Sequence, residues 1–473
     1  MATPLPERSR APHAASSRLR GLTAAAAPSA SEPVATRHNW ALYAFLFLLP
    51  LQNIQTGYLP KLPFGINFLN VGFLLALIGA WRMRGHISRW SGVHRWVWLY
   101  VLWSVITLLI GMWLHPDPGS SRVNDLKDSM LAVLLLFVVE MSVTDWFNLK
   151  RVILFMLLPL PYILRVTWSE HMSVSAWHYS DDMRLQGTFS MLGANEFAAF
   201  CVTMALMLFA LMIAGGLSKV WRTLLAGGVI CMVLGVLWAY SRAAYVSVLV
   251  GAAVILLLWR GRWKMVIPVA LALAIVPPMM PHSVSERFDS THVEGGQVDA
   301  STADRYEFWD VALGIWQKHP LFGTGNYTFS SVSPYGMDTH NLYMRTLAEE
   351  GLIGISILVG LFFSFLRAAW RTFRDSPPGS VGYALGLGML GAWPALVIGN
   401  FWGDRFTYAQ MIGYFWVFVA LMLKARELAL AERAKVERPE TKAPQPAIPI
   451  RRYAMPRRPT RREQLLQKRL AAK

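Results

Sequence analysis

The chain has 473 residues, of which 54% are hydrophobic and only 15% are charged, whereas soluble proteins carry about 25% charged residues. Its formal charge of +17 lies mostly in two tails, residues 1–38 with +3 and residues 424–473 with +10, and no nucleic-acid-binding motif accompanies them. This composition argues against a soluble globular protein and against a nucleic-acid partner, and it predicts an all-α polytopic membrane protein.

The two ends of the chain are polar and basic. Residues 1–38 are rich in Ala, Ser and Arg and contain no continuous apolar run of the kind that a cleaved signal peptide needs. We therefore expect disordered basic tails at 1–38 and at 425–473. The two cysteines, Cys201 and Cys231, lie in apolar runs and are expected to be buried thiols rather than a disulfide.

Between the tails the sequence contains twelve apolar segments, most of about the length that crosses a bilayer as a helix. Nine are expected within 39–280 and three within 351–424, separated by a long loop at 281–350. The predicted spans are 39–57, 65–82, 95–114, 127–143, 149–167, 190–214, 219–239, 243–260, 263–280, 351–372, 381–399 and 406–424.

The short connections between these spans alternate in charge. Every second one is basic, as in "RMRGHISRWSGVHR", "NLKR", "SKVWR", "RGRWK" and "RAAWRTFRD". Basic connections face the cytoplasm in membrane proteins. With twelve spans this places both tails in the cytoplasm, in agreement with their own charge.

The long loop at 281–350 falls on the opposite face. It carries ten acidic and four basic residues, and a loop of this length in a compact protein is usually functional. "STADRYEFWDVALGIWQKHPLFG" has apolar residues at helical spacing, and "HNLYMRTLAEEG" predicts a second short helix that ends at Gly351.

His340 opens that second helix. Asp338 or Thr339 is expected to cap it, with Met337 and Leu342 at the hydrophobic-staple positions, so that His340 lies in the first turn. A helix N-terminus disfavours the imidazolium, and a neutral imidazole can act as a general base. The alternative is an ordinary loop histidine with local hydrogen bonds.

Two arginines lie on the same face as this loop, against the charge rule. Arg242 occupies a very short connection with no acidic residue nearby, so it is expected to bind an anion or to snorkel to headgroups. Arg184 precedes the sixth span, where Asn195 and Glu196 stand at the span's mouth. The alternative for Arg184 is a surface ion pair with Asp181 or Asp182.

Three further observations complete the candidate site. Arg305 is a weaker candidate, since it can instead pair with Asp304 or Glu307 on a helix surface. For Glu196 a structural hydrogen bond to a neighbouring helix is the favoured interpretation. The sequence has no nucleotide-binding glycine loop, no zinc-ligand spacing and no Asp-x-Asp, so no cofactor and no metal are predicted.

"RYEFWDVALGIWQKHPLFGTGNYTF" followed by "THNLYMRTLAEEGLIG" resembles the O-antigen ligase family, which also includes O-antigen polymerases and some protein O-oligosaccharyltransferases. "RLQGTFSMLGANEFA" and "YSRAAY" resemble the family's arginine-bearing segments. The resemblance covers residues 39–424. "LGANE" departs from the pattern, because relatives often have Pro before the Asn, and this puts the local turn in doubt.

The resemblance implies an inverting, metal-independent glycosyltransferase with a GT-C-like membrane fold. It acts on the periplasmic face of the bacterial inner membrane, with glycan on undecaprenyl pyrophosphate as donor and lipid A–core as acceptor. His340 matches the family's essential histidine, and Arg184 and Arg242 match its pyrophosphate-contacting arginines. Arg305 and Asn341 are weaker carry-overs, and Asn195 is a supporting residue. A polymerase, a protein O-oligosaccharyltransferase and a lipid-linked glycan transporter remain alternatives.

Overall fold

A computed structural model describes most of the chain beyond the N-terminal tail. The unit considered below begins at Asn39. The described residues are 37–60, 67–83, 85, 87, 92–117, 119, 121–265, 267, 282–289, 292–293, 297–298, 300–437 and 459–472. Most of the predicted ninth span, 263–280, and of the predicted N-terminal tail, 1–38, lies outside them, as do residues 438–458 and 473 of the predicted C-terminal tail.

The described residues are helical apart from a short antiparallel ribbon, in which β1 (His292–Val293) pairs with β2 (Gln297–Val298). The α-helices are α1 (Trp40–Leu48), α2 (Gln52–Gly57), α3 (Phe68–Met83), α4 (Gly92–Leu114), α5 (Arg122–Ser142), α6 (Trp146–Leu157), α7 (Leu160–Val174), α8 (Ala194–Ala214), α9 (Lys219–Trp238), α10 (Arg242–Leu258), α11 (His282–Asp289), α12 (Ala300–Lys318), α13 (Phe329–Val332), α14 (Leu342–Asp375), α15 (Val381–Gly399), α16 (Ala409–Glu437) and α17 (Arg461–Leu470).

Six helical segments in the described part of the chain are long and apolar enough to cross a membrane. They are Gly92–Leu114, Trp146–Val174, Ala194–Ala214, Lys219–Trp238, Leu342–Asp375 and Val381–Trp402. Each coincides with a predicted span, so the chain is a polytopic integral membrane protein. Other predicted spans correspond to shorter or more polar helices: the first, for example, breaks into α1 and α2 around Pro50.

Polar side chains begin several of these helices. Asn39 accepts a hydrogen bond from the Leu42 amide at the start of α1, and Asp145 accepts two at the start of α6. Ser218 and Ser380 cap α9 and α15 in the same way. These caps satisfy amides that the helix itself leaves without acceptors, which fixes where each apolar segment starts.

The core is formed by α8, α10, α15 and α16. Trp416 is fully buried on α16, and Phe200 of α8 packs against Tyr414 with ring centroids 5.5 Å apart. A Cβ added to Gly251 of α10 or to Gly391 of α15 would lie 2.7 Å from the other residue's carbonyl oxygen. Helix axes approach this closely in membranes only where small residues face each other.

The connections separate into two groups at opposite ends of the bundle. At one end α2 contacts the loop that follows α7, and the loop that follows α12 contacts α4. The Asn53 amide donates to Thr188 O at 3.0 Å, and the Asn326 amide donates to Thr107 O at 3.1 Å. We call this the loop end of the bundle.

At the other end lie the basic connections. Trp146 Nε1 donates to Glu432 at 2.6 Å, and Arg426 pairs with Asp375 at 2.7 Å. Gly216 lies against Gly379 O, where an added Cβ would be 1.9 Å away. We call this the basic end.

The C-terminal segment differs from the expected disordered tail at 425–473. Helix α16 continues to Glu437, and α17 occupies Arg461–Leu470. A capping box begins α17: the Thr460 side chain accepts a hydrogen bond from the Glu463 amide, and the Glu463 carboxylate accepts one from the Thr460 amide at 2.8 Å. Charged residues that favour helices follow this cap, and hydropathy alone does not reveal such a signal.

Candidate functional site

The two motif segments of the long loop lie against each other at the loop end. Residues 320–325 form backbone hydrogen bonds to the first part of α14: the Thr324 amide donates to Ala348 O at 3.1 Å and the Gly325 amide to Glu349 O at 2.8 Å. In return, the Leu352 amide donates to Pro320 O at 2.9 Å. The "HPLFGTG" segment is therefore hydrogen-bonded to the helix that follows His340 and holds it in place.

Gly351 makes this contact possible. It has a φ of 66° and interrupts α14, so that Leu342–Glu350 is a short helix set apart from the apolar part that follows. An added Cβ would lie 2.3 Å from Leu321 O. Only glycine combines a left-handed backbone with so close an approach. The predicted end of the short helix at Gly351 is confirmed.

A buried polar network joins this helix to two other segments. The Glu349 carboxylate accepts hydrogen bonds from the backbone amides of Tyr327, at 3.0 Å, and Phe329, at 2.8 Å. Arg345 pairs with Asp404 and donates to Thr407 Oγ1 at 3.1 Å. The network therefore fixes the short helix against both the motif loop and the turn before α16.

The start of α14 differs from the prediction. The helix begins at Leu342, and Asn341 is its N-cap, with Oδ1 accepting from the amides of Tyr343 at 2.9 Å and Met344 at 3.2 Å. The predicted cap, Asp338, instead accepts from the adjacent Thr339 amide at 2.7 Å. His340 thus precedes the cap and is not in the first turn, so the predicted staple between Met337 and Leu342 is wrong as well.

The backbone on both sides of His340 is held while its side chain is exposed. Trp309 Nε1 donates to Thr339 O at 3.1 Å, and the Leu342 amide donates to Gly403 O at 3.3 Å. His340 itself has a φ of 50°, which is rare for residues other than glycine. Such backbone is retained where the surrounding structure fixes it, and it clusters at functional sites.

The His340 ring contacts Phe308, with centroids 6.3 Å apart. Among the described residues the imidazole nitrogens have no hydrogen-bond partner. The local hydrogen bonds that the alternative interpretation of His340 expects are therefore not seen among these residues. Both nitrogens remain available to a ligand. Asn341, by contrast, is buried, and its role in the structure is that of a cap.

Asn195 orients Arg184, and both residues were predicted to belong to the site. Its Nη2 donates to Asn195 Oδ1 at 2.6 Å, while its Nε is buried without a partner. No ion pair joins Arg184 to Asp181 or Asp182 in this described segment. One side of this guanidinium is therefore hydrogen-bonded to the Asn195 amide oxygen, and its other N–H groups can donate to another acceptor.

Asn195 also lines a small cleft between α8, α10 and α15. Ser241 and Arg405 line the same cleft. Arg242 directly follows Ser241 as the first residue of α10 and is half-buried. Of the predicted residues, Asn195 lines the cleft and Arg184 donates to Asn195, while Arg242 is next in sequence to the lining residue Ser241.

Arg405 was not predicted as a site residue. It is 4% exposed, and its Nη1 pairs with Glu196 Oε1 at 2.6 Å. This matches the structural role favoured for Glu196. The sequence did contain a signal for Arg405. "GNFWGDRFTYAQ" places an arginine in a connection predicted to be non-cytoplasmic, and the same departure from the charge rule identified Arg242.

Arg305 lies on α12 over the Trp402 ring, with its Cζ 6.0 Å from the centroid. Trp309 of the same helix also packs on Trp402, at 5.9 Å. The segment 400–405 therefore contacts two groups of predicted residues. Arg405 lies with Asn195 in the cleft, while Trp402 and Gly403 contact Arg305 and the His340 segment.

A separate cluster of His178, His282 and Glu286 has the composition of a metal site. His178, His282 and Glu286 offer ligand atoms within 4.8 Å of one another. Glu286 already lies 2.8 Å from His178 Nδ1 and accepts from the Tyr179 amide at 2.7 Å. The hydrogen bond from His178 lowers the pKa of Glu286, and the amide adds to this effect. Its members come from distant segments, so spacing rules did not detect it.

Comparison with known proteins gives one family match. Residues 227–359 match the family model described as O-antigen ligase. The match includes Arg242, Arg305 and His340, and over these residues it confirms the resemblance to the O-antigen ligase and polymerase family. Members of this family are membrane glycosyltransferase-like enzymes. No match was found among the curated proteins.

Proposed function

We propose that this chain, which carries the O-antigen ligase domain at residues 227–359, is an inverting, metal-independent glycosyltransferase. In this proposal it transfers O-antigen polysaccharide from undecaprenyl pyrophosphate to a sugar hydroxyl of lipid A–core. The fold is of the GT-C-like type with twelve spans in the bacterial inner membrane. Both termini are cytoplasmic, and the active site lies on the periplasmic face.

One observation supports this function above all others. Asn195 accepts a hydrogen bond from Arg184 and lines a cleft together with Arg405. The turn that carries Arg405 also accepts, through Gly403 O, a hydrogen bond from the Leu342 amide of the His340 segment. Arginine binds phosphate oxygens in a bidentate way, and it keeps its charge at any physiological pH. The cleft therefore suits an anionic group, and the turn at residues 400–405 connects it to the segment that carries the exposed His340.

The arginines supply the charge that the reaction requires. When the bond between the anomeric carbon and the pyrophosphate breaks, the bonding electrons go to the leaving oxygen, and the pyrophosphate becomes more negative. Fixed guanidiniums stabilise this charge without reorganising, in the role that a divalent metal has in other transferases. We assign Arg184 and Arg242 to the pyrophosphate, with Arg305 as a further contact.

His340 acts on the acceptor. A sugar hydroxyl is a poor nucleophile until its proton is removed as it attacks, and a neutral imidazole can accept that proton. The exposed ring on a fixed backbone suits this role. Attack from the side opposite the pyrophosphate inverts the anomeric carbon. Asn341 keeps the segment in place as the cap of α14, and Asn195 orients Arg184.

The proposed orientation is supported by the two ends of the bundle. The basic connections meet at one end, and the neutral and acidic loops, including the candidate site, meet at the other. Basic connections belong on the cytoplasmic side, so the site belongs on the periplasmic side.

Reconstitution tests the proposal directly. Purified protein is combined with undecaprenyl-pyrophosphate glycan and lipid A–core, with chelator present and no nucleotide added. We expect glycan to appear on lipid A–core. No product with any acceptor would contradict a transferase and favour the transporter alternative.

A deletion strain distinguishes the ligase from the polymerase. Loss of the ligase leaves lipid A–core without O-antigen, while polymer accumulates on the undecaprenyl carrier. Loss of a polymerase leaves core capped with a single repeat unit. Gel analysis of lipopolysaccharide separates the two patterns, and core with one repeat would show that the ligase assignment is wrong.

A further inference from the structure

A second basic cavity lies at the other end of the molecule. It has a volume of about 540 Å³ and lies between α4, α14 and α16. Four arginines line it, Arg95 from α4, Arg367 and Arg371 from α14, and Arg426 from α16. Arg95, Arg367 and Arg371 are exposed, and a concentration of one charge in one cavity attracts anions.

Only one of these arginines is neutralised. Arg426 pairs with Asp375 at 2.7 Å, with Nε and Nη2 both donating to Oδ2. In the described part of the chain, Arg95, Arg367 and Arg371 have no carboxylate partner. The cavity therefore carries three uncompensated positive charges, and a single phosphate group can accept hydrogen bonds from more than one of them.

The shape of the cavity follows from two rows on α14. Gly360, Ser364, Ala368 and Thr372 form a row of small residues, because residues four apart share a helix face. An added Cβ at Gly360 would lie 2.3 Å from the Trp96 ring of α4. Thr372 Oγ1 is buried in this region and has no hydrogen-bond partner.

The second row on α14 combines an exposed aromatic side chain with two of the arginines. Phe363, Arg367 and Arg371 follow one another at intervals of four residues, and Phe363 is 62% exposed. An exposed aromatic ring next to two guanidiniums is the arrangement that an amphipathic ligand, with an apolar tail and an anionic head, would match.

The cavity is remote from the candidate active site. The short helix beside His340 ends at Gly351, and Arg371 lies 20 positions further along the continuous part of α14, which is roughly 30 Å at about 1.5 Å per residue. This is close to the thickness of a bilayer core, about 30 Å. The cavity thus faces the opposite membrane surface and is not part of the donor site.

We propose that this cavity binds a phosphate group, either in the headgroup of an anionic phospholipid or as free phosphate. Arg367 and Arg371 bind the phosphate oxygens from α14, and Arg95 closes the site from α4. In the lipid case, the acyl chains lie along Phe363. The site links α4 to α14, which also carries the short helix at the loop end.

The experiment measures thermal unfolding of the full-length protein in detergent. Dioleoylphosphatidylglycerol, dioleoylphosphatidylcholine or inorganic phosphate is added, at matched ionic strength. The test variant is Arg367→Gln/Arg371→Gln. The control, Lys219→Gln/Arg222→Gln, removes the same charge from the exposed start of α9 at the basic end.

We expect phosphatidylglycerol to raise the midpoint of the wild type and the control by about 2 °C or more, because a ligand stabilises the state it binds. The test variant should show less than half of this rise. A response to phosphatidylglycerol alone identifies a lipid headgroup, and an equal response to inorganic phosphate identifies free phosphate.

Equal responses of the wild type and the test variant to every addition would overturn the proposal. Native mass spectrometry gives a second measurement for a variant of low stability. If phosphatidylglycerol is the ligand that stabilises the wild type, the wild type should retain more of it than Arg95→Gln, and equal retention then contradicts the site.

Discussion

Arg405 donates to the Glu196 carboxylate at 2.6 Å and thereby ties the turn before α16 to the head of α8. Because this pair positions the cleft that Asn195 also lines, its loss should affect both stability and activity. Arg405 is 4% exposed, so a substitution leaves a partly buried carboxylate without its partner.

We predict that Arg405→Gln destabilises the protein by about 3 kcal/mol, since removing one member of a buried pair leaves the other charge unpaired. The measurement is chemical or thermal unfolding in detergent. Arg426→Gln is the matched control, because the Arg426–Asp375 pair is about one-third exposed and should cost less than about 1 kcal/mol. Equal losses in the two variants would contradict the role given to Arg405.

Gly351 supports a second prediction. Its φ of 66° and the 2.3 Å approach of Leu321 O leave no room for a methyl group. Gly351→Ala should therefore cost more than about 1 kcal/mol and loosen the motif loop. Gly314→Ala is the control, since nothing lies within 4 Å of an added Cβ there and alanine favours a helix by about 0.5–1 kcal/mol. Unfolding midpoints should move in opposite directions in the two variants.

The parts of the fold that depend on local sequence were predictable. Apolar segments, Gly351 and the basic connections are readable along the chain, since each depends on neighbouring residues. The cap of α14 was not predictable, because Asp338, Thr339 and Asn341 all precede Leu342 and all three residue types are good caps. The choice depends on Gly403 and Trp309, which hold the backbone from distant positions.

The candidate site was likewise predictable only where it depends on local sequence. Arg184, Arg242 and His340 were found from charge and from motif resemblance, but the connection between the cleft at Asn195 and the His340 segment depends on residues 400–405. Arg405 and Trp402 contribute to the site through contacts with residues more than 90 positions away, such as Glu196 and Arg305. Such contacts leave no periodic pattern in the sequence.

Arg184 leads to a third prediction, which rests on the proposed function. Its Nη2 is held by Asn195 while its buried Nε has no partner, which leaves donors for the pyrophosphate. Arg184→Gln should lower kcat/KM for the lipid-linked donor about 10- to 100-fold, the effect of losing hydrogen bonds to a charged group. KM for lipid A–core should not change. Arg165→Gln, at an exposed position on α7, is the control. An unchanged donor kcat/KM in Arg184→Gln would remove this residue from the site.

The cluster around Glu286 predicts a pH dependence. The hydrogen bond from His178 lowers the pKa of Glu286 below its ordinary value of 4.5. A lowered pKa in the folded state means that the contact stabilises above pH 4.5 and is lost as the pH falls through the folded-state pKa. Hydrogen exchange should therefore show protection of the Tyr179 amide at pH 6 that disappears in strong acid. Glu286→Gln should lack part of this protection at pH 6. Protection that is the same in both proteins at every pH would contradict the assignment.

His340 gives the last prediction. Its backbone is fixed by Trp309 and Gly403, and its ring is exposed with free nitrogens among the described residues, so a substitution should change chemistry without unfolding the loop. His340→Gln should lower kcat about 10²- to 10⁴-fold, the range for loss of a general base, with little change in KM for the donor. His319→Gln is the control, because His319 is an exposed histidine of the same loop. The reconstituted transfer assay measures both, and unfolding midpoints show whether the fold is intact. If His340→Gln retains wild-type kcat, the base must be another group; if it alters only KM for lipid A–core, His340 orients the acceptor.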